Sequence, residues 1–159
     1  MSWFARLIYH GLVWKERQRA ARAERLKAAD KPGGKPEHLK TGERGETLAY
    51  WFLRQAGYII VARNRRARSG AGELDLVGWD GPVLAFVEVK TRTSDEAGPP
   101  EEAVTRSKQK RVARAAKEYL RRLRKQPAAF RFDIVSVFWD SQEGYKVKLI
   151  KDAFRSPVS

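Results

Sequence analysis

Gly72-Glu73-Leu74-Asp75-Leu76-Val77, the turn Trp79-Asp80-Gly81-Pro82 and Val83-Leu84-Ala85-Phe86-Val87-Glu88-Val89-Lys90 read together as one β-hairpin. Side chains alternate faces along a strand, so Glu73 and Asp75 share a face, as do Glu88 and Lys90. Asp-Gly favours a tight hairpin turn. Centring the turn on it sets Glu73 opposite Glu88 and Asp75 opposite Phe86. Leu74, Leu76, Ala85, Val87 and Val89 then form one apolar face, and Glu73, Asp75, Glu88 and Lys90 fall on the other. A slip of two residues preserves this sorting, whereas a slip of one destroys it. Diagonal cross-strand neighbours lie about 7–8 Å apart, close enough for two carboxylates to reach one ion. Charges among apolar strand positions are costly to bury. The group suits a divalent metal and a water attacking a phosphate.

Composition narrows the partner. The 159 residues suffice for one domain with a core and an appended arm. Lys and Arg number 33 against 19 Asp and Glu, a net charge of +14, which predicts a polyanionic partner such as nucleic acid or an anionic membrane surface. With no cysteine, disulfides and thiolate metal sites are excluded. His10 and His38 both precede the domain, which argues against a histidine-based zinc site or a Ser-His triad in the core. No stretch approaches the roughly 18–20 apolar residues of a membrane span. Arg6 and His10 break the first apolar run, making it a poor signal peptide, and a cytoplasmic location is expected.

The chain divides at about residue 40. Residues 1–29 read as a basic helix with Trp3, Phe4, Leu7, Ile8 and Leu12 at helical spacing, followed by a linker over 30–36. This makes 1–40 a helical arm and 41–159 the domain. Thr41 is placed to cap a helix running to about Ala56, with Gly57 as its stop. Residues 58–62 read as a strand and Asn64 to Gly72 as a basic, flexible loop. After the hairpin, Pro99-Pro100-Glu101-Glu102 opens a long helix. Its inner face carries Val104, Lys108, Val112, Ala115, Ala116, Tyr119 and Leu123. Its outer face is basic from Arg106 to Arg124. Residues 130–138 and 145–150 read as strands.

The order αβββαβ, with Asp in one strand and Glu-x-Lys in the next, resembles the PD-(D/E)xK nuclease superfamily, whose fold is restriction-endonuclease-like. Gly45-Glu46, Asn64-x-Arg66, Gly72-Glu73-Leu74-Asp75-Leu76, Phe86-Val87-Glu88-Val89-Lys90-Thr91-Arg92, Lys108-Gln109 and Arg131-Phe132-Asp133 are similar to the YraN-like uncharacterised bacterial family. That family is itself similar to archaeal Holliday junction resolvases. The likeness spans residues 41–154 and implies an α/β core with a central mixed sheet between helices. It implies Asp75 and Glu88 as metal ligands with the Val89 carbonyl as a third, Lys90 as the catalytic lysine, and Glu46 as the helical glutamate of resolvase-like members. Lys108 and Gln109 match polar helix residues facing the site. The arginine-rich loop is slightly long for the pattern, and the arm lies outside it.

On this reading Mg²⁺ or Mn²⁺ is the expected cofactor, DNA the expected partner, and a homodimer the form such junction enzymes often take. Mg²⁺ favours oxygen ligands and is held by one or two carboxylates. Lys90 stabilises developing negative charge, because neighbouring carboxylates favour an ammonium over a general base. Arg63, Arg65, Arg66, Arg68, Arg92, Lys108, Gln109 and Arg111 are the expected nucleic-acid contacts, binding backbone phosphates with little sequence preference. Glu73 supports Arg66 or Lys90. Simpler roles compete: a salt-bridged polar sheet face for the trio, a helix-dipole charge for Glu46, a structural carboxylate for Asp133. A binding module without catalysis, and membrane-surface attachment through the arm, are the rival functions.

Overall fold

A computed structural model describes residues 8, 10–15, 37–93, 104–140 and 144–156. The elements are α1 (Glu37–Gln55), β1 (Ile59–Arg66), β2 (Glu73–Asp80), β3 (Val83–Thr93), α2 (Arg106–Arg121), β4 (Ala129–Asp140) and β5 (Gly144–Phe154). The five strands form one sheet in sequence order. All neighbours are antiparallel except β3 and β4, which run parallel. A parallel pair needs a crossover, and α2 supplies it. The fold is the expected α/β sheet between helices, with β5 as an added edge strand.

Each face of the sheet is covered by a different helix. Leu48, Ala49 and Leu53 of α1 pack on Leu76, Ala85, Val87, Val89, Val135 and Val137. Val112, Ala113, Ala115 and Ala116 of α2 pack on Val77, Leu84, Phe86, Phe132 and Ile134. Full burial of such side chains contributes about 1.5–3 kcal/mol for each large one. Residues 10–15 of the arm are helical, and Leu12 and Val13 pack against the α1-side cluster. The rest of the expected arm helix, the 30–36 linker and Pro99 to Glu102 lie outside the described residues.

Strands β3 and β5 run further than the sequence reading, to Thr93 and Phe154, and three other boundaries bear on the site. Helix α1 begins at Glu37, so Thr41 lies inside it and is not its cap. Its end is as expected: Gly57 takes φ +97°, and the Tyr58 N–H donates to the Leu53 carbonyl at 2.9 Å, the glycine-dependent closure of a helix. Helix α2 begins at Arg106, where Thr105 Oγ1 accepts from the Lys108 N–H at 3.3 Å; the capping hydroxyl, and not the Pro-Pro-Glu-Glu run, sets this start. Strand β1 continues through Arg66, so Arg65 and Arg66 sit on a strand and the loop shortens to 67–72.

The hairpin register is displaced by two residues. Asp80 pairs with Val83 and Val77 with Phe86, leaving Gly81-Pro82 as the two-residue tip. Gly81 accepts φ +59° at the first turn position and proline fixes its own φ negative at the second, the signs a II′ turn needs, whereas a turn centred on Asp-Gly would put Pro82, which has no N–H, into the ladder. The two-residue displacement keeps Leu76, Ala85, Val87 and Val89 on the α1 face. Leu74 departs and joins the α2-side cluster. The β2–β3 pairing ends at Leu76–Val87, and across from this point Asn64 of β1 adopts φ +47°. Asn tolerates that left-handed conformation better than most residues. Arg63 lies on the α1 side, whereas Arg65 and Leu74 lie on the α2 side, so the paired strands change face across Asn64.

Candidate active site

The site forms where β2 parts from β3. Beyond Leu76 the ladder is replaced by a side chain: Asp75 Oδ2 accepts from the Val89 N–H at 2.8 Å. Asp75 is thereby fixed beside Glu88. Burial, reinforced by the charge of Glu88, pushes the Asp75 carboxyl up to about 7.

Glu88 is buried at 2 % exposure. Its Oε1 receives two ammonium groups, Lys90 Nζ at 3.2 Å and Lys108 Nζ at 3.0 Å. Lys90 lies two residues along β3 on the same face; Lys108 arrives from the first turn of α2. Glu88 Oε2 is buried with no hydrogen-bond partner. A buried charged oxygen left unpaired is costly and rare. An oxygen-seeking cation beside Asp75 would satisfy it, so these donors fit a hard divalent ion. Among the described residues no three His, Cys, Asp or Glu side chains gather into a ligand group. Mg²⁺ is commonly held by one or two carboxylates plus water, and the pair meets that need.

Glu46 comes from α1 on the opposite face and raises the Asp75 pKa through its charge, the smallest of the contributions there. Its approach depends on Gly45: a Cβ at that position would lie 1.7 Å from Thr91 Oγ1. Only glycine lets α1 come this close to β3.

The expected phosphate contacts separate into groups. Arg66, Lys108 and Arg111 line a cavity of about 340 Å³ with Gly72 and Glu73. Glu73 accepts from Arg66 Nε at 3.4 Å. Arg65 and Arg66 line a second cavity of about 140 Å³. Arg63 points to the other face, with its guanidinium 4.6 Å from the centre of the Tyr50 ring on α1. Arg68 is exposed, and its N–H is held by Glu118. Gln109 Nε2 donates to the Val104 carbonyl at 2.9 Å, ordering the approach to α2. Arg92 is half-buried on β3, level with Phe138 of β4.

Asp133 lies apart, on the α1 face. It is fully buried and accepts from Tyr58 Oη at 3.0 Å, Arg131 Nε at 2.8 Å and the Asp152 N–H at 2.9 Å. Arg131 also reaches Asp80 at 2.5 Å, and Lys151 reaches Asp80 at 2.6 Å. Burial, then the adjacent Asp133 charge, pushes the Tyr58 hydroxyl far above its ordinary range. Both Asp133 oxygens and the Tyr58 hydroxyl are engaged, and this network ties β4 and β5 to the hairpin end of the sheet.

The sequence pattern of the uncharacterised protein family UPF0102 matches residues 45–137. This chain belongs to that family. It is 48% identical over 119 residues to a UPF0102 protein of Koribacter versatilis, covering 75% of this chain and 82% of that one. It is 50% identical over 113 residues to one of Solibacter usitatus, covering 71% and 84%. For one of Symbiobacterium thermophilum the identity is 49% over 117 residues, covering 74% and 98%. The matched stretch of this UPF0102 protein contains Glu46, Asp75, Glu88, Lys90 and Lys108. Among its described residues no helix is long and apolar enough to cross a membrane.

Proposed function

We propose that this protein is a metal-dependent endonuclease that hydrolyses phosphodiester bonds in DNA, with branched or otherwise structured DNA as its substrate class. The observation that supports it most is Glu88 Oε2, a buried carboxylate oxygen with no partner, set beside Asp75 at the parting of two strands. Asp75, Glu88 and the Val89 carbonyl would hold Mg²⁺ or Mn²⁺. Such an ion, when bound, acidifies a water and polarises a phosphoryl oxygen.

The chain's own residues supply the rest. Lys90 and Lys108 anchor on Glu88 yet keep 28 % and 26 % of their side-chain surface exposed. That leaves two ammonium groups at the rim to offset charge building on the phosphate. The cavity bearing Lys108, Arg66 and Arg111 offers the strand's phosphates a cationic approach to the carboxylates. The Glu46 charge, on α1, is felt at Asp75, and this carboxylate is the one suited to orienting a water.

One observation favours a second reading, a nucleic-acid-binding module without catalysis: the two lysines already balance Glu88 Oε1. A labelled panel of duplex, single strand, flap and four-way junction, with Mg²⁺, Mn²⁺ or EDTA, separates them. Cutting that needs metal, and that Lys90→Ala and Asp75→Asn abolish while binding persists, supports hydrolysis. Binding with no cutting of any substrate leaves only the module.

A further inference from the structure

Beyond the carboxylates, α2, β1 and the 67–72 loop enclose two adjoining cavities that share Arg66 and Ala67. The one of about 340 Å³ is lined by Lys108, whose ammonium reaches Glu88 of the candidate site. The one of about 140 Å³ lies further along α2 and has different walls. Leu74, Ala115, Tyr119 and Leu123 give it apolar and aromatic surface, and Arg65 gives it a cation beyond the shared Arg66. An apolar cavity of about 150 Å³ takes up benzene, so a single six-membered ring fits.

We propose that this smaller cavity takes one unpaired base of a DNA strand whose phosphates lie in the larger one. The proposal rests on the nuclease reading and specifies its substrate: a strand with an unstacked nucleotide, as in a flap, junction or single strand. A base stacked inside a duplex cannot enter. Aromatic and apolar walls hold the ring of either pyrimidine by its π-face, and guanidinium groups at the same place draw in the backbone.

The cavity is built from fixed parts, which lowers the ordering cost of binding. Within the loop, the Ala67 N–H donates to the Gly72 carbonyl at 2.9 Å and the Gly70 N–H to the Ala67 carbonyl at 3.1 Å. Glu118 ties the loop to α2, accepting from the Arg68 N–H at 2.8 Å and from Ser69 Oγ at 2.6 Å. Its carboxylate also lines the cavity, but the Arg122 guanidinium at 2.5 Å offsets its charge. A Cβ on Gly72 would lie 2.9 Å from the Arg111 carbonyl oxygen, so glycine is needed for the loop to sit against α2. Tyr119 is braced edge-on against Phe86, with ring centres 5.9 Å apart.

The test is fluorescence anisotropy on the full chain in EDTA, with three probes: a dT oligonucleotide, an abasic strand of equal length and charge, and a duplex. The dT strand should bind about tenfold tighter than the abasic strand, the gain one base–aromatic stack supplies. Leu123→Trp, which fills the cavity, should bring dT down to the abasic level and leave the other two probes unchanged. Tyr119→Leu, which keeps apolar packing without the ring, should shift dT in the same direction. Equal affinity of the wild-type protein for dT and abasic strands overturns the proposal, as does an equal loss on all three probes in both variants. Metal-dependent cutting without base preference overturns the cavity's role alone. Base preference without cutting of any substrate overturns hydrolysis alone. Failure to bind any probe overturns both.

Discussion

Lys108 Nζ lies 3.0 Å from Glu88 Oε1, bringing a helix ammonium to a carboxylate buried in the sheet. Lys90 reaches the same oxygen at 3.2 Å, so one buried charge is shared by two partly exposed cations. Removing one partner of a buried charge costs more than the pair contributes. Exposure of both lysines reduces that cost, so Lys108→Ala should destabilise the metal-free protein by about 1 kcal/mol in urea unfolding. Under the nuclease reading, its cleavage rate should fall by about 10²-fold or more while DNA affinity changes little, as expected for a charge acting on the transition state. Loss of affinity that fully accounts for the loss of rate would make Lys108 a phosphate contact only.

Glu88 Oε2 gives the metal a signature independent of turnover. An ion that binds only the folded chain stabilises it by about 2.7 kcal/mol at a hundred times its dissociation constant. For a chain of this size that is an increase in Tm of about 5 °C or more. Mg²⁺ or Mn²⁺ should raise the wild-type Tm, and Glu88→Gln should abolish the rise. An equal rise in both proteins would place the ion elsewhere.

Much of this site was legible in the sequence because period-two alternation sorts charges by face without knowing the exact register. Asp75, Glu88 and Lys90 come out together although the turn is Gly81-Pro82 and the pairing moves by two residues. Leu74 was not legible. Its change of face coincides with left-handed backbone at Asn64 on the paired strand, which a side-chain pattern does not report. Lys108 was visible on the inner face of a helix, but nothing local says that the helix delivers it to Glu88. Glu118 bonding to residues 49 and 50 positions earlier was hidden for the same reason: only the packed fold joins them.

Asn64 tests the account of Leu74. Left-handed backbone costs an ordinary L-residue about 1–2 kcal/mol, and a β-branched one at least as much. Asn64→Val should therefore lower the denaturant midpoint, whereas Asn64→Gly should fall within about 0.5 kcal/mol of the wild type. Equal stability of all three proteins would mean that the strand relaxes and that the crossing of Leu74 has another cause.

Gly45 controls how α1 meets the site. In Gly45→Ala the new Cβ would fall 1.7 Å from Thr91 Oγ1, so α1 or Thr91 must move. Overpacking of this kind costs about 1–3 kcal/mol. Because Glu46 is the next residue, activity should fall along with stability. Removing Oγ1 relieves the worst overlap, so Thr91→Ala should restore part of both in the Gly45→Ala background. Additive losses in the double variant, read by thermal unfolding, would show that this contact does not set the helix position.

Glu118 should make the 67–72 loop sensitive to acid. The Ser69 hydroxyl, then the Arg68 N–H, hold its carboxyl down to about 2. In the unfolded chain the same group titrates near 4.3, as an ordinary glutamate does. A carboxyl depressed by folding contributes stability that is complete above the unfolded value and lost as pH falls through the folded one. The loss therefore falls between about pH 5 and pH 2. Across that window the wild-type Tm should drop more steeply than that of Glu118→Gln, and the Glu118 Cδ resonance should remain that of a carboxylate at pH 3.5. The variant should also show faster amide exchange at Arg68 and Ser69 near neutral pH, because a neutral amide accepts those N–H bonds more weakly. A Cδ midpoint above 4 would show that the carboxylate is not held by the loop, and would remove one wall from the fixed cavity between β1 and α2.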